Sequence, residues 1–255
     1  MIKAIFFDID GTLLGFKTHM VSPGTMTAFE RLHQKGILTF ISTGRPMVLI
    51  PPMPISFDGY ITVNGGYCIS NNNILLDNPI DHDDCRRWLE YVKQKELTTM
   101  AFTANEMFIN RIDPQTIALR NELGFKMPPI SPFEELDKQT VYQFIAMQPE
   151  SDDAEVLSNL RQCRMPRWHP AFSDIIPINS SKAVGIEHTL RHFGIAPDEA
   201  MAFGDGENDI EMLEFVGCGV AMGNASDSVK QKSDYVTDSA DDEGIINALL
   251  KLNVI

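Results

Sequence analysis

Residues 2–7 form a short apolar run broken only by Lys3, and its brevity, with Gly11 close behind, predicts a buried parallel strand rather than a helix. Ser22-Pro23 can open a helix whose apolar side is Met26, Phe29 and Leu32 and which Gly36 can end, and residues 37–41 form a second apolar run. Strand, helix and strand over some forty residues make a βαβ unit, whose right-handed crossover sets the two strands parallel in one sheet. Residues 60–63 read as a third strand, and residues 67–76 as a hairpin around Asn71-Asn72-Asn73.

The texture then changes. Cys85, Trp88, Leu89 and Val92 make an i, i+3, i+4, i+7 stripe behind Asp81, which predicts a capped helix. Strands are predicted over 98–104 and 107–111, a helix from Asp113-Pro114 to Gly124, and a Pro-rich connection over 126–132. A strand over 141–147, a helix over 151–163 and two short strands around Trp168 and Ile175 follow. From Ser180 the α/β rhythm returns. Ser180 or Ser181 can cap a helix with Lys182 in its first turn and Ala183, Ile186, Leu190 and Phe193 on one face. Residues 200–203 read as a strand and 210–216 as a helix, and 219–222 and 235–237 as strands each followed by a helix. The pattern predicts an α/β core over residues 1–80 and 181–255, interrupted by an α+β unit over 81–180.

Composition narrows the function classes. The chain has 255 residues, 44% hydrophobic and 22% charged, as in ordinary globular domains, with a formal net charge of −14. Repulsion from that charge argues against nucleic acid or an anionic membrane as a general partner. The four Cys, at 68, 85, 163 and 218, have no zinc spacing, and the N-terminus has no basic-then-apolar signal pattern. Free buried thiols and a cytoplasmic location are the expectation. No apolar run approaches the roughly 20 residues needed to span a bilayer.

The chemistry concentrates at predicted strand ends. Asp8 and Asp10 follow the first strand on the same side of an extended backbone, and two such carboxylates repel unless a cation, a shared proton or hydrogen bonds offset the cost. A divalent metal would meet that need; Asp residues capping a turn before Gly11 are the other reading. Asp205, Asn208 and Asp209 follow residues 200–203 in the same manner, and an oxygen-rich set of this kind suits Mg²⁺ better than zinc. Thr43, with Gly44 allowing close approach, could bind phosphate oxygens, or Thr43 could cap a strand-to-helix turn. Lys182 meets the unfavourable end of a helix dipole, a cost explained if it faces an anion.

In order, Asp8 and Asp10 in Phe6-Phe7-Asp8-Ile9-Asp10-Gly11-Thr12, then Thr43, Lys182 and Asp205 to Asp209, resemble the four motifs of the haloacid dehalogenase superfamily. The Ser42-Thr43-Gly44-Arg45-Pro46 and Val63-Asn64-Gly65-Gly66 segments, with the insertion, make the chain similar to its Cof-type, sugar-phosphatase-like branch with a IIB cap. The resemblance implies an α/β fold, with a Rossmann-like parallel sheet core, helices on both faces and an inserted α+β cap domain. It implies a phosphatase acting on a small phosphorylated metabolite, such as a sugar phosphate, through an aspartyl-phosphate. Asp8 would be nucleophile and Mg²⁺ ligand. Asp10 would be acid and base, with its carbonyl on the metal. Asp205 and Asp209 would complete the metal site, Asp209 as a ligand or an organiser of bound water. Thr43, Gly44, Lys182, Asn208 and the Ile9 backbone would hold phosphate, with Arg45 and Asn64 near the substrate. A phosphomutase of the same superfamily and a receiver-like phospho-acceptor domain are the competing readings.

Cap candidates for substrate contact are Asn105, Asn110, Arg111, Arg167, Trp168, His169 and Asp174. His188 and His192 are at i, i+4 but lack a third ligand, so a helix face explains them better than zinc. A cap able to roof its own site needs no partner subunit, which predicts a monomer or weak homo-oligomer.

Overall fold

The computed structural model describes residues 1–167 and 169–255. Two compact units are present: Met1–Gly44, Pro51–Asp77 and Ser181–Ile255 form the first, and Arg45–Ile50 with Asn78–Ser180 form the second.

The first unit opens with β1 (Ala4–Phe7), α1 (Pro23–Gln34), β2 (Leu38–Ser42), β3 (Gly59–Thr62), β4 (Tyr67–Ser70) and β5 (Asn73–Asp77). In the second unit come α2 (His82–Lys95), β6 (Thr98–Phe102), β7 (Met107–Ile109), α3 (Pro114–Leu123), α4 (Phe133–Leu136), β8 (Gln143–Met147), α5 (Asp153–Asn159), β9 (Cys163–Arg164) and β10 (Ser173–Pro177). The chain returns to the first unit with α6 (Lys182–Phe193), β11 (Ala200–Gly204), α7 (Ile210–Phe215), β12 (Cys218–Ala221), α8 (Asp227–Lys230), β13 (Tyr235–Val236) and α9 (Gly244–Lys251).

The first unit has one eight-stranded sheet in the order β13-β12-β11-β1-β2-β3-β4-β5. Pairing is parallel from β13 to β3 and antiparallel across β3, β4 and β5. β1 lies in the middle, with Phe6 opposite Phe40 and Ala202, and Phe7 opposite Ile41 and Phe203. Its side chains alternate between two helical layers, as a doubly covered parallel sheet requires. Phe6 stacks on Phe40 at 5.0 Å in the cluster that holds Ile186, Leu190, Met212 and Leu213, while Phe7 packs on Phe29 of α1 at 4.9 Å. Each buried Phe contributes about 1.5–3 kcal/mol, so the strand that leads into Asp8 is anchored on both faces.

Several predicted signals act as expected. Ser22 accepts from the Thr25 N–H as the cap of α1, and Ser181 rather than Ser180 caps α6 by accepting from Val184. Asn71 and Asn72, at φ 48° and 64°, make the two-residue turn of a type I′ hairpin between β4 and β5. Asp113 caps α3, which ends at Gly124 with φ 71°.

In the second unit the sheet order is β7-β6-β8-β10-β9. Trp88 is 1% exposed at the centre of its core against Phe144 and Tyr91, and donates from its indole to Thr99 Oγ1 at 3.0 Å. The helix predicted over 151–163 stops at Asn159. The buried Asp84 carboxylate of α2 accepts from the Arg161 and Gln162 N–H groups at 3.0 and 2.7 Å, a long-range tie that turns the chain out of the helix. The first of the two short strands is β9, earlier than expected, and Trp168 lies outside the described residues. All four Cys are free, three of them buried. Among the described residues no helix is long and apolar enough to cross a membrane.

Candidate active site

The carboxyl ends of β1, β2 and β11 and the start of α6 bring the charged residues of the first unit together. The Asp8 N–H donates to the Phe203 carbonyl at 3.0 Å, so the backbone of Asp8 continues the β1–β11 pairing. Its carboxylate accepts from Lys182 Nζ at 2.7 Å, and the same ammonium donates to Asp209 Oδ1 at 2.5 Å. Lys182 is 1% exposed. Its place at the first residue of α6 is thus explained by two facing carboxylates, which outweigh the helix dipole.

Asp209 spends its other oxygen on its own loop, accepting from the Asp205 and Gly206 N–H groups at 2.9 and 2.8 Å. Asp205 accepts from Thr12 Oγ1 at 3.3 Å through Oδ1 and from Asn224 Nδ2 at 2.9 Å through Oδ2. Asp8, Asp205 and Asp209 each offer an oxygen within 4.8 Å of the others.

Electrostatics mark this cluster as short of positive charge. Burial, opposed by Lys182 and reinforced by Asp209, pushes the Asp8 carboxyl up to about 8. Burial and Asp209 push Asp205 up to about 7, against Lys182 and the Thr12 and Asn224 donors. Burial works against the Lys182 ammonium, but Asp209 and Asp8 more than offset it and hold its pKa above the ordinary 10.5. Three carboxylates and one ammonium carry a formal charge of −2 when all are ionised. The atoms these three residues offer are all carboxylate oxygens, so a hard divalent cation fits both the charge and the chemistry of the cluster.

Beside it is a neutral polar group. The buried Asn64 accepts from Asn208 Nδ2 at 3.0 Å, and its N–H donates to the Thr43 carbonyl at 3.1 Å. A Cβ on Gly44 would meet Asn64 Oδ1 at 3.1 Å. Asn64 is in a turn, Val63–Gly65, whose residues have φ of 46°, 53° and 82°, and a Cβ on Gly65 would collide with the Ser181 carbonyl. A β-branched residue at positive φ costs of order 1–3 kcal/mol. Gly65 seats this turn against Ser181, the cap residue of the helix that carries Lys182. Thr43 and Ile9 are buried, and Asp10 is exposed in the turn after Asp8, bridged to Leu14.

The remaining sequence candidates make the following bonds and contacts. Arg45 falls with the second unit and donates to the Leu49 carbonyl at 2.8 Å. Within that unit Asn110 joins the Thr99 N–H to the Leu97 carbonyl, and Arg167 pairs with Asp153 at 2.6 Å and donates to the Gln148 carbonyl. Arg111 bonds Thr98 Oγ1 and the Glu96 carbonyl. His169 stacks on Phe172, Asp174 is buried in β10 and Asn105 is exposed. His192 packs edge-on against Phe193, as a residue on a helix face does.

Sequence reading missed Thr12 as a partner of Asp205, and Asn224 altogether. The signal for Asn224 is its position just after β12, at the sheet edge where Asp8 and Asp205 also emerge.

A family model for haloacid dehalogenase-like hydrolases matches residues 5–249. YkrA of Bacillus subtilis is 29% identical over 256 residues, covering 99% of this chain and 98% of its own length. YcsE of the same organism, a 5-amino-6-(5-phospho-D-ribitylamino)uracil phosphatase, is 28% identical over 257 residues, 97% of this chain and 94% of that one. Among solved structures, the subclass IIB sugar phosphatase BT4131 aligns with a TM-score of 0.89 at 35% identity, over 99% of this chain and 100% of that chain.

Proposed function

We infer that this chain, which belongs to the haloacid dehalogenase-like hydrolases, is a Mg²⁺-dependent phosphatase that passes the phosphoryl group of a small metabolite to Asp8 and then to water. The observation that carries this reading is the buried Lys182 bridge between Asp8 and Asp209 beside Asp205. It leaves a nucleophile oriented and the site in need of a divalent cation. Asp8, Asp205 and the Asp10 carbonyl would hold Mg²⁺, with Asp209, already engaged by Lys182 and two N–H groups, acting on bound water. The ion supplies positive charge against the phosphoryl oxygens.

The chain's own residues account for the rest. An Asp8 oxygen attacks phosphorus as the ester P–O bond breaks, and Asp10, exposed in its turn, gives its proton to the leaving alkoxide. Asp10 then takes a proton from the water whose oxygen attacks the aspartyl-phosphate, the Asp8–phosphorus bond breaks, and inorganic phosphate leaves. Lys182 fixes the Asp8 carboxylate and screens the approach of one anion to another. Thr43, Gly44, Asn208 and the Ile9 backbone would hold the phosphoryl oxygens, with Asn64 setting the Asn208 carboxamide.

Residues 81–180 are proposed as the substrate-selecting cap, with Arg45 also on the substrate side. The names of BT4131 and YcsE support a phosphorylated, hydroxyl-rich carbon chain as the substrate class.

Phosphate release from a panel of phosphorylated sugars, ribityl compounds and nucleotides, with Mg²⁺ and with chelator, tests the reading. Mg²⁺-dependent release is the expected result, with the phosphoryl label trapped on wild-type protein and absent from Asp8→Asn. Transfer between hexose 1- and 6-phosphates would replace the reading with a mutase. A long-lived acyl-phosphate without release would replace it with a receiver-like protein.

A further inference from the structure

We propose that Asn224 is a positioning residue for the Mg²⁺ site, holding the Asp205 carboxylate and the turn after Asp10 in ligating register; this rests on the Mg²⁺ reading given above. Its carboxamide joins three segments. Nδ2 donates to the Gly11 carbonyl at 2.9 Å and to Asp205 Oδ2 at 2.9 Å, and Oδ1 accepts from the Ala240 N–H at 3.0 Å. Two acceptors on one side and a donor on the other are what a primary carboxamide alone among the uncharged side chains of this length can satisfy. With Thr12 on Oδ1, both oxygens of Asp205 are held and the plane of the carboxylate is set.

A general loop pin is the competing account, and other residues already do that work. Asp241 accepts from the Lys17 N–H at 3.2 Å, and Glu243 accepts from the Gly24 N–H at 3.1 Å and from Ser22 Oγ at 2.5 Å, fastening the rest of the β1–α1 loop and the start of α1. Asn224 is not the cap of α8 either, since that place belongs to Ser226. What distinguishes Asn224 is that it touches a candidate ligand and the turn after Asp10 at once. Its neutrality suits the role, because an ammonium at this place would cancel the charge that Asp205 offers to a cation.

Mg²⁺ titrated calorimetrically into chelator-stripped protein without substrate is the test. Asn224→Ala is expected to bind Mg²⁺ roughly 10–100-fold more weakly than wild type, while Asp241→Ala, a loop pin only, stays within about twofold. Equal affinity in wild type and Asn224→Ala overturns the inference and leaves the Mg²⁺ reading standing. No Mg²⁺ binding by wild type overturns that reading itself. Should Asn224→Ala fail to fold, the sequentially assigned side-chain NH₂ resonances of Asn224 in ¹⁵N-labelled wild type answer the question. They are expected to move on Mg²⁺ saturation, and resonances that stay fixed while Mg²⁺ binds overturn the inference.

Discussion

The two units treat buried carboxylates in opposite ways. In the inserted unit Asp84 is 1% exposed, yet the Gln162 and Arg161 N–H groups and Arg87 outweigh its burial and hold its pKa below the ordinary 3.8. Asp113 is held low in spite of burial by Thr98 and Thr116, and Asp153 is held low by Arg167. Each meets its own donors and fastens a turn or a helix start. In the core unit Asp8, Asp205 and Asp209 gather around one ammonium, and the first two are driven up to about 8 and about 7. A fold that meets Asp84, Asp113 and Asp153 with their own donors does not leave Asp8 and Asp205 in deficit in the other unit for stability's sake. The deficit is what a bound cation and a phosphoryl group would fill.

Asp8→Asn should break this contrast most sharply. Turnover should fall by roughly 10⁴–10⁶-fold, while above about pH 8, where the Asp8 carboxyl is ionised, the melting temperature in chelator rises because one buried like charge is gone. A variant that keeps its turnover would remove Asp8 as nucleophile. Next is Lys182→Met, which strands Asp8 and Asp209 and should cost about 3–5 kcal/mol in urea unfolding. Arg167→Met, at a more accessible pair in the inserted unit, should cost about 1–2 kcal/mol. Equal losses would erase the difference between the units.

A smaller effect is expected with pH. Native Asp8 holds its proton up to about 8 and the unfolded chain releases it near 3.8, so between those values the native state binds more protons and stability falls as pH rises. Melting temperatures in chelator should therefore decline from about pH 4 to about pH 8, and saturating Mg²⁺ should flatten the decline by competing with protons for the same oxygens. Smallest is Asp113→Ala, which removes the α3 cap at a cost of about 1 kcal/mol and should leave Mg²⁺ affinity unchanged.

Much of this was written locally. The apolar run before Asp8, the Ser-Pro start of α1, the paired Asn residues of the β4–β5 turn and the Asp113 to Gly124 span each state their structure within a few residues. Strand ends of a parallel sheet share an edge, and so Asp8, Thr43 and Asp205 could be associated before any coordinates. What escaped the sequence was decided at long range. Val63 is a strand former by type, and its positive φ belongs to a turn whose next glycine, Gly65, is packed against the Ser181 carbonyl. The end of α5 is set by a carboxylate more than seventy positions earlier. The bonds of Asn110 and Arg167 could not be read in advance, because the carbonyls and carboxylate they serve are brought near only by folding. Asn224 belongs to no run of polar residues that periodicity would single out.

One detail of the Asp8 backbone separates two residues only two positions apart. The Asp8 N–H is bonded into the central pair of the sheet at Phe203 O, between Phe6, Phe7 and Phe203, all fully buried. Its amide should exchange with deuterated solvent only when the sheet opens, among the slowest in the protein. Asp10 is exposed in a turn that runs on through Gly11 at φ 76°, and its exchange should follow local fluctuation instead. The group that must form a bond at a fixed point is tied to the slowest motion of the fold, and the group that must carry protons between ester and water is left on a faster clock.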